Sequence, residues 1–115
     1  MLRRFSLLLV LAIAALAADV TGNWTATVET DAGSGTPKFV FKQTGETLTG
    51  SYSGQLGEAP IAGTVKGDDI EFSLKAAPQG ESIIVKYKGK ITGNSIKGTV
   101  DLGGMATGTF TATKQ

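Results

Sequence analysis

One hairpin pattern recurs in this chain and limits what it can fold into. Gly63-Thr-Val-Lys-Gly-Asp-Asp-Ile-Glu-Phe-Ser-Leu74 returns as Gly89-Lys-Ile-Thr-Gly-Asn-Ser-Ile-Lys-Gly-Thr-Val100. In both copies apolar and polar residues alternate, a Gly-Asp or Gly-Asn pair interrupts them, and alternation resumes. Period-two alternation puts the apolar residues on one face of a strand. Glycine supplies the positive φ that a two-residue hairpin requires. The pattern predicts an antiparallel meander with one buried face.

Residues 1–18 differ in kind. Arg3 and Arg4 precede an apolar run from Phe5 to Leu16, and Ala15-Leu16-Ala17 supplies the small-x-small pattern of a leader cleavage site. At about 14 residues the apolar stretch is shorter than the roughly 20 needed to span a bilayer. A signal peptide over 1–18, cleaved after Ala17 or Ala18, is therefore expected, with export to the periplasm or the extracellular space. One β-barrel domain is expected over 19–115. The chain has no cysteine, so lipid attachment at a cysteine is excluded. Without the leader, nine lysines face ten carboxylates and no arginine remains. Such a balance argues against nucleic acid, which is gripped by clustered arginine and lysine.

Beyond residue 18 no helical period is visible. Sixteen glycines and fifteen threonines disfavour helix interiors and suit the pleated sheet. Eight strands are predicted, at 22–30, 38–43, 48–54, 61–66, 69–76, 82–92, 95–102 and 105–113. Residues 31–37 read as a mobile loop and 55–60 as a second loop. Short connections make sequence neighbours antiparallel neighbours, and eight such strands can close as an up-and-down barrel. The predicted inward face carries Trp24, Phe39, Phe41, Tyr52, Phe72, Tyr87 and Phe110. The outward face is threonine, serine and charge. A membrane barrel has an apolar outer band, so this barrel is expected to be water-soluble, with no membrane partner once the leader is removed.

Five predicted inward positions are glycine: Gly50, Gly63, Gly89, Gly98 and Gly108. They either allow sharp strand coiling around a filled core or leave a pocket, and coiling is the favoured reading. With no histidine and no cysteine, the commonest general base and the strongest nucleophile are missing. The carboxylates fall at turns or on the outward face, so neither a catalytic residue, a metal site nor a cofactor is expected, and Asp68-Asp69 lacks the ligand spacing of a calcium loop. Lys86, Lys88 and Lys90 form a row along one strand face. That row reads either as a patch for acidic polymer or anionic headgroups, or as gatekeeping beside the aggregation-prone residues 83–85, and gatekeeping is favoured.

Trp24, Tyr52 and Tyr87 are the inward residues that combine an apolar body with a polar tip. They are the candidate ligand-binding residues, the alternative being an aromatic plug. At Gly22-Asn23-Trp24 and Leu48-Thr49-Gly50-Ser51-Tyr52 the chain resembles the avidin family and other small calycin-type barrels. The resemblance implies a ligand-orienting role for Tyr52. Ala26 and Gly54 replace the polar residues that family would place there, and Trp24 is the sole tryptophan, so biotin is not the implied ligand. The domain as a whole resembles short exported bacterial proteins of unassigned function with an opening Gly-x-Trp and Gly-Asp-x-Ile-x-Phe hairpins. The expected function is non-enzymatic: binding of a small, largely apolar ligand in the barrel, or a structural or protein-interaction role with the barrel filled.

Overall fold

The computed structural model describes residues 18–77, 80 and 82–115. The expected leader lies outside them except for Ala18. Nine strands are formed: β1 (Gly22–Thr30), β2 (Gly33–Gly35), β3 (Lys38–Thr44), β4 (Thr47–Gly54), β5 (Gly57–Lys66), β6 (Asp69–Ala76), β7 (Ile83–Thr92), β8 (Ser95–Leu102) and β9 (Ala106–Lys114). From β3 to β9 each strand pairs antiparallel with the next, and β1 joins β3 on one side and β9 on the other. The result is a closed eight-stranded up-and-down barrel with β2 as an added short strand. Closure runs from Trp24 opposite Lys114 to Thr30 opposite Gly108.

The alternation predicts the facing correctly. Trp24, Phe39, Phe41, Leu48, Val65, Ile70, Val85, Ile96 and Phe110 are buried, and no charged or polar residue joins them among the described residues. The predicted turns also form. Lys66 pairs with Asp69 around Gly67-Asp68, and Thr92 with Ser95 around Gly93-Asn94. Gly67 and Gly93 have φ of 61° and 59°, the left-handed region that L-residues with a side chain enter only at a cost. Each turn is then tied to the strand beyond the one it leads into, Gly67-Asp68 to β7 and Gly93-Asn94 to β9. The carbonyl of Asp68 accepts from Ile91 N–H at 2.8 Å, and that of Asn94 from Lys114 N–H at 2.9 Å.

Two predicted loops are shorter than expected. Within 31–37, β2 pairs with the upper half of β1, Val28 opposite Gly35 and Thr30 opposite Gly33. Within 55–60, β5 already starts at Gly57, opposite Gly54, so Gln55-Leu56 alone makes the turn. Glycine and proline mark both stretches as irregular, but the neighbouring strand offers unpaired backbone groups, and pairing with it extends the ladder.

The inward glycines mark close approaches between strands. A Cβ at Gly63 would run into the Glu71 carbonyl, one at Gly98 into the Lys88 carbonyl, and one at Gly108 into the Glu29 carbonyl. At Gly89 the Lys97 oxygen would be 2.7 Å away. This supports the coiling reading: the space a side chain would take is occupied by the adjacent backbone.

One end of the barrel is closed by residues 18–21. Val20 is buried beneath it, and its carbonyl accepts the Trp24 indole N–H at 2.9 Å. The Gln43 side chain straps the segment down. Its Oε1 accepts from Val20 N–H at 3.0 Å, and its Nε2 donates to the Ala18 carbonyl at 2.8 Å. Gln43→Ala leaves both backbone groups without these partners, and chemical denaturation should register a loss of about 1–3 kcal/mol. Gly98→Ala should cost about 1–3 kcal/mol as overpacking. Lys88→Ala, on the outward face beside Gly89, should stay within about 0.5 kcal/mol. Equal stabilities for Gly98→Ala and Lys88→Ala would contradict the close-approach account.

Candidate functional site at the barrel mouth

β1 parts from β3 halfway up the barrel. The two are paired only from Gly22 opposite Phe41 to Thr25 opposite Lys38. Above that, Ala26 N–H donates to the Pro37 carbonyl at 2.9 Å, and β2 takes over as the partner of β1. The parted strands leave an open pocket of about 180 Å³ at the end opposite the Gln43 strap. Val28 and Thr30 of β1, residues 32–37, Gln55, Leu56 and Leu102 form its walls, with Tyr52 and Tyr87 reaching it from below.

Alternation along β4 and β7 points both tyrosines inward, and they are 4% and 3% exposed. Their rings cap a column of aromatic contacts. Phe39 lies 6.1 Å from Tyr52 and 5.3 Å from Tyr87, and Phe72 stacks on Tyr87 at 4.7 Å. Phe39 stacks on Phe41 at 5.5 Å, and Phe41 meets Trp24 at 6.1 Å. The column fills the barrel from the strapped end to the mouth. It also separates the three residues singled out by sequence. Tyr52 and Tyr87 come together at the mouth, whereas Trp24 belongs to the other end, where Val20 accepts its N–H.

Burial pushes the Tyr52 phenol up, partly offset by a hydrogen bond from the Leu56 backbone. It pushes the Tyr87 phenol up further, with the neighbouring Tyr52 adding to the effect. Both phenols are therefore neutral at physiological pH and available as hydrogen-bonding groups. Among the described residues no carboxylate or ammonium lines the pocket. The ion pair found among the described residues, Lys90 to Asp69 at 2.7 Å, is on the outer surface with side chains 71% and 62% exposed; a pair so open to solvent contributes little to stability. The mouth offers apolar surface from Val28, Leu56 and Leu102 beside the polar side chains of Thr30, Ser34, Thr36 and Gln55, with two tyrosine hydroxyls at its base.

Sequence reasoning reached the tyrosines and Val28 through their alternation. It missed Leu56 and residues 32–37, which were read as loop. Pro37 is buried there, which nothing in the local sequence signals. The chain matches no protein-family profile and no curated protein sequence.

Tyr52 and Tyr87 are the only tyrosines, so phenolate absorbance reports on this site alone. Their folded-state pKa values lie above the unfolded value of about 10, so the fold favours the neutral form. The associated stability is full below about pH 10 and is lost as pH rises beyond it. An alkaline titration should show ionisation delayed for both phenols, most for Tyr87, and coupled to unfolding. Simultaneous ionisation at the ordinary phenol value would place both rings in water.

Proposed function

We propose that the protein is an exported, non-enzymatic β-barrel that binds a small, largely apolar ligand at its mouth. The observation that carries this reading is the pairing of two buried, neutral tyrosines beneath an open pocket whose walls set Val28, Leu56 and Leu102 beside Thr30, Ser34, Thr36 and Gln55. Volume sets the scale of the ligand. An apolar cavity of about 150 Å³ accepts a benzene-sized guest, and pockets for drug-sized molecules begin at about 300 Å³. The ligand is accordingly a single ring or the end of a chain, with one oxygen for the tyrosine hydroxyls. Tyr52, the residue favoured by the avidin resemblance, and Tyr87 orient it, and Trp24 supports the barrel from the far end. Export rests on the leader-like residues 1–18. The polar outward face and the absence of arginine beyond residue 18 speak against membrane and nucleic-acid partners, and no cofactor belongs to this reading.

The filled aromatic column favours a second reading, a structural or protein-interaction module. Amide NMR spectra recorded with phenol, benzyl alcohol and acetophenone separate the two. Ligand binding should shift Ser34, Gly35, Leu56 and Leu102 in a saturable way. Tyr87→Phe should weaken acetophenone by about three- to tenfold, the worth of one hydrogen bond, and leave toluene binding unchanged. Unmoved mouth resonances with every ligand, and native mass spectra free of any co-purified small molecule, would leave only the interaction module.

A further inference from the structure

The outer face of β5–β8 carries a concavity unrelated to the mouth. Gly89 and Gly98 are register partners, and a Cβ on Gly98 would come within 2.5 Å of the Gly89 Cα. The adjacent backbone takes the place of side chains there, and a groove of about 540 Å³ lies over the same two glycines. Gly89, Gly98 and Ile70 belong to its lining, as do Lys66, Lys88, Lys90 and Lys97.

Four ammonium groups therefore meet two carboxylates, Asp69 and Glu71, in one groove. Asp69 is engaged with Lys90 at 2.7 Å, the one ion pair among the described residues. Asp69 is also the register partner of Lys66 and Glu71 that of Lys88, while Lys97 faces no carboxylate across either neighbouring strand. Lys90 and Lys97 face each other directly across β7 and β8, an arrangement that costs stability in a sheet. Gatekeeping explains lysines beside residues 83–85 on β7. It does not explain Lys66 and Lys97, which β5 and β8 bring to the same groove.

We propose that this groove binds a linear anionic polysaccharide. Charge complementarity selects an anion: the groove is net positive on a domain with more carboxylates than lysines beyond residue 18. Among the described residues no aromatic side chain lines the groove, so it offers no platform on which the bases of a nucleic acid could stack. Its four lysines, spread over β5, β7 and β8, suit carboxylate or sulfate groups spaced along a flexible chain. A membrane surface fits poorly, because the exposed large hydrophobics Val40, Ile84 and Met105 lie outside the groove lining and leave nothing there to enter a bilayer.

Calorimetric titration of the folded protein with alginate and with dextran sulfate, at low and at physiological salt, tests the proposal. Saturable binding that weakens with salt is expected. Lys88→Gln/Lys97→Gln should weaken it and lower the slope of log K against log salt, because fewer counterions are released from the polymer. Lys38→Gln/Lys42→Gln, on β3 halfway round the barrel, should leave both unchanged, and unaltered thermal unfolding will establish that each variant is folded. No binding of either polymer at low salt, or equal losses from the two variants, overturns the groove as the site. Tighter binding of phosphatidylglycerol vesicles or of DNA, with the same dependence on Lys88 and Lys97, overturns the polysaccharide as the partner.

Discussion

Closing eight strands around so narrow a core brings neighbouring backbones closer than a side chain allows, and the rest of the structure follows from that constraint. Gly63, Gly98 and Gly108 occupy points where a Cβ would meet the carbonyl of the adjacent strand. The sheet can bend sharply there, and the larger inward residues fill what space remains. Seven aromatic rings occupy the axis from Trp24 to Tyr52. A barrel bent this way has little interior to lend to a ligand. One concavity arises at the mouth, where strands part, and another on the outer face over the paired glycines Gly89 and Gly98.

The two ends are built on different principles. At one end a short segment is drawn across the opening and held by a single side chain, Gln43, whose amide serves Val20 and Ala18 at once. The backbone groups of that segment are satisfied and Trp24 gains a partner, so this end is sealed. At the other end β1 leaves β3, and the substitute partner β2 is only three residues long. An edge completed by so short a strand leaves a gap, and two hydroxyl-bearing rings close its base. A sealed end and an open end on one aromatic column are what give the barrel a direction.

Much of this was legible in the residues. The predicted span of β1 and that of β8 agree with the observed strands, because strict alternation and flanking glycines leave one register that buries the apolar face. Tyr52 and Tyr87 were read as inward for the same reason. β2 and the first residues of β5 were not legible. Gly33-Ser-Gly35 and Gly57-Glu-Ala-Pro60 have low strand propensity, and they pair because a neighbouring strand is already in place. The role of Gln43 was equally hidden, since nothing local in the sequence links it to a segment more than twenty residues away.

The sequence by itself determined the strands, their facing and the turns, because each depends on interactions a few residues apart: alternation for the faces and glycine φ for the hairpins. Tertiary structure alone decided how those strands enclose space. Whether an inward glycine leaves a cavity or admits a neighbouring backbone depends on the curvature of the closed sheet, which no single strand encodes. The same closure separated Trp24 from the tyrosines, gathered lysines from β5, β7 and β8 into one groove, and set the pocket where β1 and β3 diverge.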